Sequence, residues 1–293
     1  MNTTTTVSGA RPTVLRLAPV RLIALFVLLL AGDIGAQLAR AWAFERVPLP
    51  DRDGVVLGVS LALSAVLLAL YFALVWGFEG RKARELSPAV WQALAGVGVG
   101  FGLFATVFAI LGAIGVARWS GVSAHFDVIP VLATSIVAAI GEELAFRGGV
   151  FRVLEDSLGT AWALLLSAAI FGLLHALNPG ATVLSTLAIA LEAGLLLGAA
   201  YAFTRNLWFA IGLHLGWNFT EGGVFGVSVS GFSAGKGAFA VALSGPTLLT
   251  GGKFGPEASI VAVAVCLAMA LVLIALVVRR GLWRPVRARL ILD

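Results

Sequence analysis

Long apolar runs repeat along this chain and restrict what it can fold into. Of its 293 residues, 60% are apolar and 12% are charged, whereas roughly a quarter of the residues in a soluble domain are charged. About 20 mainly apolar residues form a helix that crosses a bilayer core about 30 Å thick. Eight such segments are predicted, near residues 18–38, 54–78, 93–117, 128–156, 160–178, 181–203, 207–222 and 258–278.

These runs are too long and too continuous for the alternating strands of a membrane barrel, and lipid-facing backbone must satisfy its own hydrogen bonds. We therefore predict an all-α fold, a polytopic transmembrane helical bundle of about eight spans. The bundle occupies residues 18–278, between a tail at 1–17 and a basic tail at 279–293. Residues 223–257 are rich in Gly and Ser and contain Pro246 and Pro256. This long loop is either a flexible connector or a partly apolar flap that covers a site.

The net charge of +5 indicates membrane topology rather than nucleic-acid binding, because the basic residues lie at the ends of the spans. If eight spans alternate, the larger basic group lies on the side of both termini, so both termini are predicted to be cytoplasmic in a multi-pass protein of the cell membrane. The segment from Arg16 to Ala31, followed by Ala39-Arg40-Ala41, also resembles a signal peptide, although an uncleaved signal anchor is more usual before seven further spans. The larger basic group is Arg11, Arg16, Arg21, Arg81, Lys82, Arg84, Arg152, Arg205, Arg279, Arg280, Arg284, Arg287 and Arg289.

Charged residues inside the fourth span need a partner or a function, since each costs at least about 2.5 kcal/mol at mid-bilayer. Glu143 and Arg147 are four residues apart, so helical spacing predicts an ion pair on one face. Glu142 points about 100° away around the helix and has no partner in its own span. Glu142 is therefore the carboxylate that remains available for chemistry.

Two of the three histidines in the chain fall in predicted spans. A lone histidine on an apolar helix is usually a packed, hydrogen-bonded residue. However, a turn predicted near Ser157 to Gly159 puts Glu142 and His175 at the same depth, each about 24 Å from it along antiparallel helices. On the seventh span, His214 and Asn218 are four residues apart and share one face.

One carboxylate, two imidazoles and one amide suit the hydrolysis of an amide bond. Glu142 and His175 would activate water, and His214 and Asn218 would donate hydrogen bonds to the oxyanion. Zinc held by Glu142, His175 and His214 is the alternative, but the contiguous HExxH motif is absent. The sequence slightly favours metal-free chemistry, so no cofactor is assigned firmly and zinc or another divalent metal stays open. The single cysteine, Cys266, excludes an intrachain disulfide and a cysteine zinc site.

Three sequence motifs resemble those of the CPBP family of intramembrane proteases, the CAAX protease and bacteriocin-processing or Abi family. GEELAFRGG at 141–149 is similar to its EExxxR pattern, FGLLH at 171–175 to FxxxH, and HLGWN at 214–218 to HxxxN. The resemblance covers about 128–222, the predicted protease core. It implies that Glu142 and His175 activate water, that His214 and Asn218 bind the oxyanion, and that Glu143 and Arg147 support them. It also implies a polypeptide substrate, prenylated or membrane-embedded, within a lipid bilayer and without nucleic acid. Eukaryotic relatives trim the last three residues of prenylated proteins, while bacterial relatives are linked to peptide maturation and bacteriocin immunity.

Two other classes of function are consistent with the same residues. Glu142, Glu192 and the histidines could form a proton or cation relay in a transporter. The pocket could also bind a partner without turnover, as in an immunity protein. Glu192 and Asp33 are expected to be buried structural carboxyls, Glu221 is expected to be solvated at the end of its span, and His125, in a loop, is given no role.

Overall fold

The structure is a computed structural model that describes residues 18–48 and 51–286. Its helices are α1 (Ala18–Arg46), α2 (Arg52–Leu74), α3 (Val90–Ala113), α4 (Val128–Glu143), α5 (Arg152–His175), α6 (Val183–Ile189), α7 (Leu195–Thr204), α8 (Leu207–Phe219), the short α9 (Thr247–Thr250) and α10 (Ile260–Arg279). Helical π turns follow four of them, at Val75–Glu79, Leu144–Phe151, Ala190–Gly194 and Thr220–Val224. Short 3₁₀ turns lie at Arg84–Leu86 and Pro256–Ala258.

The predicted all-α polytopic bundle is confirmed. Within the described ranges, six helices are long and apolar enough to cross a membrane, and one of them runs from Val128 to His175. That helix is broken inside α5 at Gly159, whose φ of 80° and ψ of 171° reverse the chain. This is the turn that the sequence predicts. Residues 207–222, the seventh predicted span, form α8 and its π turn, which are not among the six.

One prediction of local structure is wrong. Two short β-strands lie where the sequence analysis expected the end of the third span and part of the long loop. β1 (Ala117–Val122) and β2 (Phe239–Leu243) pair in antiparallel register, Ala117 opposite Leu243 and Val122 opposite Phe239. The third helix therefore ends at Ala113 rather than near 117. The sheet ties the loop after α3 to the long loop before α10, and a pairing so distant in sequence leaves no periodic signal in either segment.

The bundle has two ends, which the loops define. The terminal end contains residues 80–89, the turn at Gly159 and residues 280–286; the far end contains the sheet and the loops 176–182 and 225–259. Hydrogen bonds within each end support this order: the Thr160 N–H donates to Arg284 at the terminal end, and Asn178 donates to the Ser230 carbonyl at the far end. The predicted tail at 1–17 and residues 287–293 of the predicted basic tail at 279–293, with Arg11, Arg16, Arg287 and Arg289, lie outside the described residues.

Helix α8 is held against α3 by glycines on both helices. A Cβ on Gly100 would lie 2.7 Å from the Trp217 backbone nitrogen, and a Cβ on Gly216 would lie 2.9 Å from the Val97 Cα. Both contacts involve backbone, which cannot rotate away, so only glycine permits this approach. The spacing repeats as Gly96 with Gly100 and as Gly212 with Gly216. These small-residue motifs, which sequence analysis did not use, fix the helix that carries His214 and Asn218.

An ionic network closes the terminal end between α2, α3 and α5. Arg81 contacts Glu85 at 2.7 Å, and Arg152 contacts Glu79 at 2.6 Å. Burial alone would raise the pKa of Glu85, but hydrogen bonds from Arg81 and Tyr71 outweigh burial and lower it. A carboxyl with a lowered folded-state pKa stabilises the fold above its unfolded pKa and loses that contribution as pH falls through the folded value. The network therefore weakens in acid.

Candidate active site

Glu142 and His175 lie opposite each other near mid-bundle, on α4 and at the end of α5. The Glu142 Oε2 and His175 Nε2 atoms are 3.9 Å apart, and the side chains are 21% and 12% exposed. This separation is too long for a direct hydrogen bond. A water molecule between the two atoms could bond to both at ordinary distances of about 2.8 Å. The structure thus brings together the two side chains whose depths the sequence predicts to be equal.

The ring orientation of His175 follows from its other nitrogen. Nδ1 lies 2.8 Å from the carbonyl oxygen of Phe171, one helical turn earlier. A carbonyl only accepts hydrogen bonds, so Nδ1 must donate. In the neutral imidazole, Nε2 is then the acceptor, and it faces Glu142. The FxxxH spacing therefore supplies both the carbonyl that fixes the tautomer and the aromatic ring that packs on His175, with ring centroids 4.5 Å apart.

Glu143 connects the first motif to the third. Its Oε1 accepts from Arg147 Nη1 at 2.9 Å, as the spacing predicts, and from His214 Nδ1 at 3.0 Å. Glu143 is 0% exposed and Arg147 1% exposed, so their charges are shielded from solvent. Arg147 also donates to the carbonyls of Ala193 and Gly194 at 3.0 and 3.1 Å. Sequence analysis paired Glu143 with Arg147 but missed its bond to His214, because residues on different helices share no spacing.

Two cavities adjoin these groups. The larger, about 940 Å³, is lined by Glu142, His175, His214 and Asn218, and it extends between α1 and α4 toward the far end. The smaller, about 20 Å³, lies behind His175, His214 and Asn218 and is large enough for about one water molecule. The four side chains predicted to form the site therefore line the same cavity wall. Asn218 is half-buried there.

The long loop covers this wall rather than acting only as a connector. Residues 229, 230 and 232–235 line the larger cavity, while Phe254 and Glu257 are 1% and 2% exposed inside the bundle. The loop is fixed to the helices by the hydrogen bond from Asn178 Nδ2 to the Ser230 carbonyl at 3.0 Å. Its position agrees with the flap interpretation of the sequence.

Three further carboxyls are buried behind the site, and one of them corrects the sequence interpretation. Glu221 was expected to be solvated, but it is 0% exposed. The loop folds back over it, and its Oε1 accepts the Glu257 N–H at 3.4 Å. Glu257 in turn accepts the Ser230 N–H, and burial raises its pKa. Glu192 is 2% exposed and faces Cys266 of α10, so it is buried as expected.

Asp33 of α1 contacts the first motif directly. A Cβ placed on Gly141 would lie 2.9 Å from the Asp33 Cβ, so the glycine before Glu142 admits the aspartate. Asp33 is 6% exposed, and its Oδ1 has no hydrogen-bond partner among the residues that the structure describes. It lines the larger cavity beside Glu142. An intramembrane carboxyl in the first span was the only sequence signal that α1 borders the site.

The alternative zinc ligands, Glu142, His175 and His214, are not gathered around one point in the described residues. Across residues 18–48 and 51–286, no three His, Cys, Asp or Glu side chains are placed to hold one metal ion. Catalytic zinc needs three protein ligands around one open position. His214 instead directs Nδ1 to Glu143, and only Glu142 and His175 of the proposed set face each other closely.

One family model matches this chain, over residues 123–220, and its description is Type II CAAX prenyl endopeptidase Rce1-like. The matched segment contains all three motifs together with Glu142, His175, His214 and Asn218. No curated protein and no solved structure matches the chain. Residues 123–220 therefore resemble the Rce1-like family of CAAX endopeptidases, which agrees with the family that the three motifs indicate.

Proposed function

We propose that this protein is an intramembrane endopeptidase of the glutamate type, which hydrolyses a peptide bond in a membrane-associated or lipidated polypeptide. The observation that carries the proposal is the pair Glu142 and His175, 3.9 Å apart on the wall of a cavity that also contains His214 and Asn218. A carboxylate and an imidazole at this separation can hold one water between them. The family match supports the same class of reaction.

The water is activated from two sides. His175 Nε2 accepts one of its hydrogen bonds, since Nδ1 is committed to the Phe171 carbonyl. Glu142 Oε2, which has no hydrogen-bond partner in the described part of the chain, accepts the other. As the water oxygen attacks the scissile carbonyl carbon, its proton passes to Glu142. The carbonyl π electrons move to the oxygen and form a tetrahedral oxyanion.

His214 and Asn218 stabilise that oxyanion. Asn218 donates from its amide nitrogen. His214 donates from Nε2 only as an imidazolium, because Nδ1–H is committed to Glu143. The buried Glu143 carboxylate is the counter-ion for this charge. Collapse of the intermediate breaks the C–N bond, and the proton held by Glu142 passes to the leaving amine.

The orientation of the bundle decides the side from which a substrate enters. Most of the basic side chains lie at the terminal end, including Arg81, Arg152, Arg205 and Arg279. We place this end in the cytoplasm by the positive-inside rule. The larger cavity opens toward the other end, so the scissile segment enters from the non-cytoplasmic side or laterally past α1.

Single-cysteine labelling tests this orientation. Cys266 is the one native cysteine and is 0% exposed, so it should remain unlabelled. We expect Ala124→Cys, in the exposed loop after β1, to react with a membrane-impermeant maleimide in intact cells. Ser87→Cys, in the exposed α2–α3 loop, should react only after the membrane is permeabilised. The opposite pattern would place the cavity mouth in the cytoplasm.

Asn218→Ala distinguishes a protease from a transporter. Loss of an oxyanion donor typically lowers kcat by about 100- to 1000-fold, and we expect a fall of that order with little change in KM. The assay uses purified protein and a library of fluorogenic peptides, with and without a prenyl-type lipid. Thr106→Ala, on the exposed face of α3, is the matched control.

Three further measurements decide between the alternatives. Cleavage that survives a chelator supports the metal-free reaction, whereas loss of cleavage would favour a metalloenzyme. A proton or cation relay would be favoured if no peptide were cleaved and if Asn218→Ala left the ion flux into liposomes unchanged. Tight peptide binding without cleavage in any condition would favour a binding or immunity protein.

A further inference from the structure

The smaller cavity lies behind His214 and Asn218, as seen from the larger one. Asn218 lines both cavities, so its amide lies between them. Two further side chains, Glu192 and Trp217, line the smaller cavity but not the larger one. The smaller cavity therefore connects a group of the proposed reaction with two residues to which that reaction gives no role.

Glu192 and Trp217 each bring an unpartnered polar atom to this part of the bundle. Glu192 is 2% exposed and Trp217 is 5% exposed. Neither Glu192 Oε1 nor Trp217 Nε1 has a hydrogen-bond partner among residues 18–48 and 51–286. The rings of Phe104 and Trp217 pack edge to face, with centroids 4.8 Å apart, but an aromatic face is only a weak acceptor. A buried polar atom without a hydrogen bond is unfavourable, so both atoms indicate a polar ligand in the cavity.

The size and the chemistry of the cavity both match one water molecule. Its volume is about 20 Å³, and a single water needs at least about 10–15 Å³ and two to four polar partners. The indole Nε1–H of Trp217 only donates, so a cation would not satisfy it. A carboxyl oxygen of Glu192 accepts a hydrogen bond from water or, when protonated, donates one. Because water donates two hydrogen bonds and accepts two, it can satisfy both atoms and still has at least one hydrogen to donate.

Asn218 needs a hydrogen-bond donor on this side for its role in the reaction. Its Nδ2 must point at the oxyanion in the larger cavity, which leaves Oδ1 facing the opposite way, where the smaller cavity lies. None of the hydrogen bonds among the described residues holds the amide in this orientation. After a rotation of 180° about the last side-chain bond, the amide would present an acceptor to the oxyanion instead of a donor. A donor in the smaller cavity would prevent that rotation.

We propose that the smaller cavity binds one water molecule, held by Glu192 and Trp217, which donates a hydrogen bond to Asn218 Oδ1 and so directs Asn218 Nδ2 at the oxyanion. This inference rests on the proposed function and adds two positioning residues to it. Neither of them is a residue that the three motifs specify. Glu192, which the sequence analysis treats as a structural carboxyl, thus acts on the reaction through Asn218, as supporting groups around a catalytic site commonly do.

Two substitutions remove the partners of the water one at a time. Trp217→Phe keeps an aromatic ring without the N–H, and Glu192→Leu keeps a similar volume without a polar atom. We expect each to lower kcat by about 3- to 10-fold, the effect of one lost hydrogen bond, with little change in KM. Glu192→Gln, whose amide can still bond to the water, should keep kcat near the wild-type value. Trp208→Phe is the matched control, because Trp208 is also on α8 and its Nε1 donates to the Leu86 carbonyl at the terminal end, 3.4 Å away.

The same substitutions in an Asn218→Ala background separate positioning from packing. If Glu192 and Trp217 act through Asn218, neither Trp217→Phe nor Glu192→Leu should lower kcat further once the amide is absent. A residue that only packs in the bundle would lower kcat by the same factor in both backgrounds. That result would overturn the proposal.

A crystal structure at a resolution that shows ordered water tests the site without turnover. We expect one water in the wild type within about 3.2 Å of Glu192 Oε1, Trp217 Nε1 and Asn218 Oδ1, and none in Glu192→Leu. A dry cavity in the wild type would overturn the proposal even if the enzyme cleaves peptides. An ordered water in a protein that cleaves no peptide would support the water site and count against the proposed function.

Discussion

Glu142→Gln is expected to abolish peptide-bond cleavage while leaving the fold intact. Glutamine has the same shape as glutamate but cannot take a proton from the water that Glu142 shares with His175. General base catalysis contributes about 100- to 10,000-fold, so we expect kcat to fall by at least that range. The side chain is 21% exposed and forms no ion pair within its own helix, so its charge is not needed for packing.

The measurement compares kcat for wild type and variant on one peptide, with thermal unfolding in detergent as a check on the fold. Asp156→Asn is the control, because this carboxyl is exposed at the terminal end and pairs with Arg284. If Glu142 and His175 act on the same water, Glu142→Gln combined with His175→Asn should cost little more than either change alone. Turnover within a few-fold of wild type in Glu142→Gln would exclude Glu142 as the base.

The sequence could predict those contacts of the site that form between residues of the same helix. Glu143 with Arg147 depends on a four-residue spacing, and so does the position of Phe171 one turn before His175. Both contacts are present, at 2.9 Å between the ions and 2.8 Å between His175 Nδ1 and the Phe171 carbonyl. A turn predicted from local sequence was also enough to bring Glu142 and His175 to one depth.

Contacts between distant segments were not predictable from periodicity. The Glu143–His214 bond joins α4 to α8, and β1 pairs with β2 although the two strands lie far apart in sequence. The sequence predicted a solvated Glu221 because this residue lies at the end of a span. Glu221 is buried because the long loop folds back over it, which the sequence pattern did not indicate. A better signal was present for α8, since the repeated four-residue glycine spacing on α3 and α8 predicts close helix packing.

Glu143→Gln is expected to damage both stability and activity. The change leaves Arg147 as a buried cation without its ion-pair partner, since its other hydrogen-bond acceptors are the neutral carbonyls of Ala193 and Gly194. Removing one partner of a buried ion pair typically costs about 3–5 kcal/mol. His214 also loses the carboxylate that holds its Nδ1. We expect a lower midpoint of unfolding in detergent and a reduced kcat.

A double variant separates these two effects. In Glu143→Gln/Arg147→Met the buried cation is gone, and replacing a buried ion pair by apolar or neutral groups is often neutral for stability. We therefore expect the unfolding midpoint to recover toward wild type, while kcat stays low because His214 still lacks its counter-ion. Recovery of both stability and kcat would show that Glu143 serves only to neutralise Arg147. In that case, His214 would need no charge to bind the oxyanion, and Asn218 would be the main donor.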